Sequence, residues 1–456
     1  MRPLKMTRSL AFTFIEVLVR GINWSFLFLA ALFLPTESYG SLSIIVAIEA
    51  MLVVLLIAGY DKSALRFLAD GEQNCNSNEV FSGWVVVSLA VCVLVIVSHY
   101  FITWNERVYL KGGMFYLGLA AFFLVALNRF FAAIFRATDG IWEFVFLRLG
   151  CLFLKLVIFI YFLEHYAVAA ESYVLATFVA FLASTFLVFK VSKSESFSKK
   201  NVKAASLYAL PFLPHALSGI LLANIDRVMI DSFLTLNDVA VYSFAYTLGS
   251  ALSFFYAIVA VTYEKKLFSV ASDFSAVHSL QKEYFIFLNV IGFLMLPVVY
   301  GIAFFIGNFR EGYAGEEFIQ IVLMVYVSYI VNVQYLKASY GLAVHKQSVS
   351  IAWVTMSSMF LNVALNLILL ERIGVIGAAV ATLLSYIFLS IVITGVAQQK
   401  TKIVIFDYDS KIFSSLIAVL IVLLWYNPLW GVLFAVLVAL FQITRCAKAA
   451  KILFLD

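Results

Sequence analysis

The chain has 456 residues, of which 64% are hydrophobic and only 12% charged, with a mean hydropathy of +1.02. Soluble domains carry about 45–50% apolar and about 25% charged residues, so this composition excludes a water-soluble globule and leaves lipid as the main solvent. The net charge of +5 then matters through where the cations lie, and nucleic acid is not an expected partner.

A bilayer span needs about 20 mostly apolar residues, and such runs recur from end to end. They predict fourteen spans: 10–34, 41–59, 80–101, 114–135, 142–163, 168–189, 206–233, 239–262, 284–306, 317–343, 349–370, 375–397, 411–426 and 428–445. Only helices and closed barrels satisfy their backbone in lipid, and these runs are too long for barrel strands of about 10 residues. The opening MRPLKMTRS runs straight into a span that is too long for a removed signal peptide.

Lys and Arg in the connections set the orientation. Most fall on the side shared by the two termini, from Arg2, Lys5 and Arg8 to Arg445, Lys448 and Lys451, whereas the other side has only Arg107, Lys111, Arg310 and Arg372. Cytoplasmic termini and a cell inner-membrane location follow as expectations. The longest connections, 60–79, 190–205 and 263–283, are too short for a catalytic domain, so an enzyme is not expected. Cys75, Cys92, Cys151 and Cys446 are scattered, with neither CxxC spacing nor histidine partners, so no metal site, disulfide framework or cofactor is expected.

The stretch 32-LFLPTESYGSLSIIV-46 is echoed by 232-SFLTLNDVAVYSFAY-246, and the polar SKSESFSKKN at 192–201 falls between them. This predicts an all-α polytopic membrane protein with two six-helix bundles in pseudo-twofold repeat and a terminal helical hairpin, an organisation frequent among secondary transporters. The boundaries expected are a first bundle at 1–191, a cytoplasmic linker at 192–205, a second bundle at 206–397, and a transmembrane hairpin with cytoplasmic tail at 398–456.

Ionisable groups inside spans are costly and point by default to a bundle interior or a wet cavity. The first bundle holds Glu16, Arg20, Glu49, Arg129, Arg148 and Lys155, with cations in excess. One reading is a cavity for an anionic phosphate or pyrophosphate, gripped by Arg20, Arg129, Arg148 and Lys155. The other is static: Glu16 and Arg20, at i and i+4, neutralise each other, while Arg129 and Lys155 snorkel. Arg148 and Lys155, at i and i+7, share a helix face. In the second bundle the adjacent Asp226 and Arg227 diverge by about 100°. Arg227 can pair with Asp231, and Lys337 is the candidate partner of Asp226, either as a gate between bundles or as a static lock. Glu16, Glu49 and Asp226 are also candidates for coupling to a proton or sodium gradient.

Three stretches carry a family resemblance: LFLPTESYGSLSIIVAIEAMLVVLLIAGYDKSALRFLA at 32–69, NIDRVMIDSFLTLNDVAVYSFAY at 224–246, and NVALNLILLERIGVIGAAVATLLSY at 362–386. The chain resembles the polysaccharide-exporter branch of the multidrug/oligosaccharidyl-lipid/polysaccharide (MOP) flippase superfamily. Asp61-Lys62 sits where that family often has uncharged residues. The resemblance implies a Wzx-type flippase moving undecaprenyl-pyrophosphate-linked O-antigen, or another surface-polysaccharide repeat unit, from the inner to the outer leaflet by alternating access. Its implied partners are that lipid-linked oligosaccharide, membrane lipids, and a polysaccharide polymerase with chain-length machinery. The competing functions are a cation or drug antiporter of the same superfamily, which wants a carboxylate-dominated cavity, and a flippase for lipid-linked peptidoglycan precursor.

Overall fold

A computed structural model describes residues 3–69, 76–102, 113–166, 168–182, 185, 198–313, 315–401 and 403–454, and every element among them is helical. The chain divides into two compact units, Met1–Asn23 with Glu37–Asn224, and Trp24–Thr36 with Ile225–Asp456. Every predicted span falls largely on helical residues, although 239–262 is divided between two helices and 168–189 is described as helix only from 169 to 182. Among the described residues, twelve helices are long and apolar enough to cross a membrane on their own, thirteen if the bent pair Leu236–Gly249 and Leu252–Ser269 counts as one span, and Ala169–Leu182 is a shorter apolar helix. The expected continuation of that last helix to 189 lies almost wholly outside the described residues, as do Cys75 and residues 192–197 of the linker.

The first unit draws on α1 (Pro3–Phe33), α2 (Thr36–Ile57), α3 (Tyr60–Ala69), α4 (Ser77–Ile102), α5 (Gly113–Ala137), α6 (Ile141–Val145), α7 (Cys151–Tyr166), α8 (Ala169–Leu182), α9 (Lys199–Ala209) and α10 (Leu213–Phe233). A π turn, Phe146–Gly150, joins α6 to α7, and a 3₁₀ turn, Leu210–Phe212, joins α9 to α10. Two helices stand where connections were expected. Short, amphipathic α3 occupies the start of the 60–79 connection, and α9 takes up 199–205 of the linker. They pack on each other: Tyr60 donates to Ser206 Oγ (2.7 Å) and Ser63 to the Ala205 carbonyl (3.2 Å). Gly59 permits the approach, because its φ is +79° and a Cβ there would stand 2.3 Å from the Ala209 carbonyl oxygen. Buried Glu79 closes both helix starts. It accepts from the Asn76 N–H (2.9 Å) ahead of α4, and from the Ser198 N–H (2.7 Å) and Asn201 Nδ2 (2.9 Å) at the start of α9. Those contacts make 199–205 helical despite a polar sequence.

The second unit continues with α11 (Leu236–Gly249), α12 (Leu252–Ser269), α13 (Phe274–Phe309), α14 (Glu316–Val344), α15 (Ser348–Ile373), α16 (Val375–Lys400), α17 (Tyr408–Tyr426) and α18 (Pro428–Phe454). A capping box between Thr235 and Asp238 starts α11. Its junction with α12 bends by 43° at the pair Gly249-Ser250, where a Cβ on Gly249 would stand 2.8 Å from the Val322 carbonyl oxygen of α14. Central α14 packs against α11, α12, α13, α15, α16 and α17. The terminal hairpin α17–α18 lies on this core, with α18 along α13. The exposed side chains are largely apolar, including Val86, Val93 and Leu94 of α4 and Val422, Leu433 and Leu437 of the hairpin, as lipid requires.

Candidate functional site

The predicted cations of the first unit gather with its acids, in pairs that sequence spacing did not give. Arg148 grips Glu16 of α1 with both forks, Nε to Oε1 at 2.7 Å and Nη2 to Oε2 at 2.8 Å. Glu16 is therefore paired across 132 residues of chain, and Arg20 is not its counter-ion. Arg148 lies in the π turn, an insertion that re-aims a side chain without breaking the helix, so the i, i+7 face assumed for Arg148 and Lys155 does not bring them to one partner. Lys155 instead meets Glu49 of α2 at 3.4 Å. Tyr173 of α8 bridges the two: its hydroxyl donates to Glu49 Oε2 at 2.7 Å and accepts from Lys155 Nζ at 2.7 Å. The Lys155 ammonium also lies 3.9 Å from the centroid of the same ring.

Two cations remain. Arg20 and Arg129 are exposed, and neither forms an ion pair among the described residues. Arg129 lies within electrostatic reach of Arg148, Glu49, Glu16 and Asp61, and both Arg129 and Arg20 act on Glu16. Arg129 stands on α5, where 78% of the most apolar stretch is buried, between buried Asn128 and Phe130. A cation exposed between buried neighbours and within reach of Glu16 and Glu49 is not placed as a lipid-facing residue would be. With Glu16 and Glu49 already paired with Arg148 and Lys155, Arg20 and Arg129 leave this group of charges net positive.

The second unit treats its acid differently. Asp226 is fully buried, and its carboxylate accepts from three neutral donors: the Tyr242 hydroxyl, Thr382 Oγ1 at 2.9 Å and Asn366 Nδ2 at 2.9 Å. Lys337 is not its partner. The fully buried Lys337 donates to Asp407 Oδ2 (2.8 Å) and Ser410 Oγ (2.9 Å) at the start of the terminal hairpin. Three neutral donors satisfy the acid and a carboxylate from later in the chain satisfies the lysine, so a direct pair is not needed. Arg227 is buried with its guanidinium 4.8 Å from the Tyr246 ring centroid, and Asp231 is half-buried one turn further on. Beside Lys337, Asp409 takes Lys282 (3.2 Å) and Arg445 (2.5 Å).

Sequence reading missed Tyr173, Asn366, Thr382, Asp407 and Asp409. One signal was present: Asn362 and Asn366 stand at i and i+4 in an apolar span, and both are fully buried, a pattern that marks a hydrogen-bonding stripe. No group of three His, Cys, Asp or Glu placed to hold a metal ion occurs among the described residues, and Cys92, Cys151 and Cys446 are free thiols.

Comparison with known proteins adds four findings. The family described as polysaccharide biosynthesis protein matches residues 8–263. An uncharacterized membrane protein of Methanocaldococcus jannaschii is 22% identical over 408 residues, covering 83% of this chain and 93% of its own. Among solved structures, the inward-facing conformation of a multidrug resistance MATE family transporter of the MOP superfamily aligns with a TM-score of 0.58 at 14% identity, covering 83% of this chain and 93% of its own. A eukaryotic MATE transporter aligns with a TM-score of 0.56 at 13% identity, covering 86% and 95%. At such identities the structural likeness is one of fold.

Proposed function

Because this chain belongs to the polysaccharide biosynthesis protein family, a branch of the MOP flippase superfamily, we propose that it translocates an undecaprenyl-pyrophosphate-linked O-antigen or other surface-polysaccharide repeat unit from the inner to the outer leaflet by alternating access. The observation that carries the substrate class is the pair Arg20 and Arg129, two exposed cations beside acids already neutralised by Arg148 and Lys155. A pyrophosphate brings negative charge and several acceptor oxygens, and guanidinium forks match it. Arg148 and Lys155 then act by absorbing the charge of Glu16 and Glu49, leaving the outer two arginines for the ligand.

In this reading the protein lies in the cell inner membrane with both termini cytoplasmic. It delivers its glycan to a polymerase and chain-length machinery on the outer face and performs no covalent chemistry. Coupling to a proton or sodium gradient would act through Asp226.

A second reading, a cation or drug antiporter, is favoured by the MATE fold together with the buried carboxylate of Asp226. One experiment separates the two. Purified protein in liposomes is given a labelled undecaprenyl-pyrophosphate glycan and an impermeant probe of the outer leaflet. Wild type moves the glycan, and Arg20→Ala or Arg129→Ala lowers the rate about 10- to 100-fold, as expected for loss of a charge-assisted hydrogen bond. Efflux of a cationic dye with no glycan movement establishes the antiporter instead.

A further inference from the structure

Central α14 carries an unusual set of side chains for a membrane span. Tyr329, Asn332, Ser339 and Tyr340, at i, i+3, i+10 and i+11, fall on one face, and all four are half-buried. Lipid does not account for that exposure, because α14 is hemmed in by six other helices. Amide and hydroxyl groups left half-open on an enclosed span face water or a polar ligand. Moreover, Asn332 Oδ1 is buried without a hydrogen-bond partner, a vacancy for a donor.

The neighbouring helices line the same track. On α12, the Tyr256 hydroxyl donates to the Tyr329 carbonyl, and their ring centroids lie 6.4 Å apart. Two turns on, exposed Glu264 accepts from the Tyr340 hydroxyl at 2.7 Å. From α11, Tyr246 places its hydroxyl 3.2 Å from that of Tyr329. Tyr256 and Glu264 are eight residues apart on their helix, so the track runs for roughly 12 Å.

Its chemistry is aromatic faces beside hydroxyls, an amide and one carboxylate. Aromatic faces stack on the apolar C–H faces of pyranose rings. Hydroxyl, amide and carboxylate groups match the alternating donors and acceptors of sugar hydroxyls, and a few placed polar groups suffice to orient such a ligand. A carrier without sugar offers these groups only phosphate acceptors, which the Glu264 carboxylate repels, with neither a C–H face to stack nor a hydroxyl to donate.

We propose that the track formed by Glu264, Tyr329, Asn332 and Tyr340, backed by the buried Tyr246 and Tyr256, contacts the sugars of the lipid-linked oligosaccharide and sets which repeat unit is accepted, an inference that rests on the flippase function proposed above. A site built to hydrogen-bond hydroxyls rejects ligands lacking them, because its own polar groups are then left unpaired.

The test uses purified full-length protein and the variants Asn332→Ala and Tyr340→Phe, with two readouts on each. One is binding of undecaprenyl pyrophosphate without sugar. The other is translocation in liposomes of the undecaprenyl-pyrophosphate-linked repeat unit extracted from the protein's own host. Translocation falls about tenfold, the effect of one or two lost hydrogen bonds, while binding of the sugar-free carrier stays within twofold. Unchanged translocation, or a parallel fall in both readouts, overturns the inference and leaves these residues as packing. Wild type that translocates no repeat unit removes the flippase function itself, and this inference with it; wild-type activity with insensitive variants removes only the sugar track.

Discussion

The two units bury their carboxylates by opposite means. In the first, Glu16 and Glu49 each face a cation, Arg148 and Lys155. In the second, Asp226 accepts hydrogen bonds from neutral donors, Tyr242, Thr382 and Asn366, with the Arg227 charge within electrostatic reach. The difference is in what a proton does on arrival. Protonating Glu49 strands the Lys155 ammonium in a buried site, a costly outcome. The three donors to Asp226 carry no charge to be stranded on protonation, although buried Arg227 lies within its electrostatic reach, and Asn366 Oδ1, which has no hydrogen-bond partner among the described residues, is an acceptor for the new O–H once its amide turns over. The first unit therefore locks its acids in charge pairs, as the proposed anionic ligand requires, whereas the second holds its acid with neutral donors, as the proposed coupling requires.

The comparison breaks most easily at Glu49. Its pair with Lys155 is buried on both sides, with side chains 12% and 5% exposed. Removing one partner of such a pair costs about 3–5 kcal/mol. Glu49→Gln and Lys155→Met should each lower thermal stability in detergent by that amount, and the double variant should regain most of it. If the double variant is as unstable as the sum of the singles, the two residues do not form a charge-locked pair. Arg148→Ala follows the same logic with a smaller loss, because Glu16 keeps a side-chain exposure of 25%.

Asp226→Asn sharpens the contrast. The amide has nearly the shape of the carboxylate and keeps acceptor capacity, so the protein should fold and bind its carrier. Sensitivity to the coupling ion should vanish. Each coupled proton makes a gradient of one pH unit worth about tenfold in accumulation, so collapsing the gradient should slow wild type and leave the variant unchanged. Separate collapse of a sodium gradient identifies the ion. Equal slowing of both proteins by each treatment removes Asp226 from coupling.

These pairings also show where sequence reading stops. The twelve long apolar helices of the described residues were legible, because a long apolar run leaves no other way to satisfy its backbone, whereas the bend between Gly249 and Leu252 was not. The charged residues inside spans were equally plain, being rare and costly there. Their partners were not, since Arg148 reaches Glu16 across 132 residues and Lys337 reaches Asp407 across 70, and helical periodicity reports only neighbours on one helix. Neutral partners were harder still: Tyr173 and Thr382 resemble any packing residue until the acid beside them is seen. The short helices α3 and α9 escaped for another reason. α3 is held by α5 and α9, and α9 by α3, α4 and Glu79, and propensity within either segment does not reveal that.

The smallest effect concerns the terminal hairpin, where a third arrangement is found. Asp407 stands just ahead of α17, and its side chain keeps 11% exposure. Burial works to raise its pKa, but the Lys337 ammonium and hydrogen bonds from Lys337 and Ser410 outweigh it and hold the carboxyl below the ordinary carboxylate range. A depressed folded-state value means that the contribution to stability is fully present above the unfolded-state value and disappears as pH falls through the folded one. Wild type should therefore lose thermal stability on acidification from about pH 5 to about pH 3 more steeply than Asp407→Asn, which keeps an N-cap for Ser410 but carries no titrating charge. Parallel curves would mean that Lys337 and Asp407 contribute nothing to holding the hairpin. A steeper wild-type curve, with faster hydrogen exchange confined to α17 at low pH, identifies this ion pair as the hairpin's attachment to the helix that bears the sugar track.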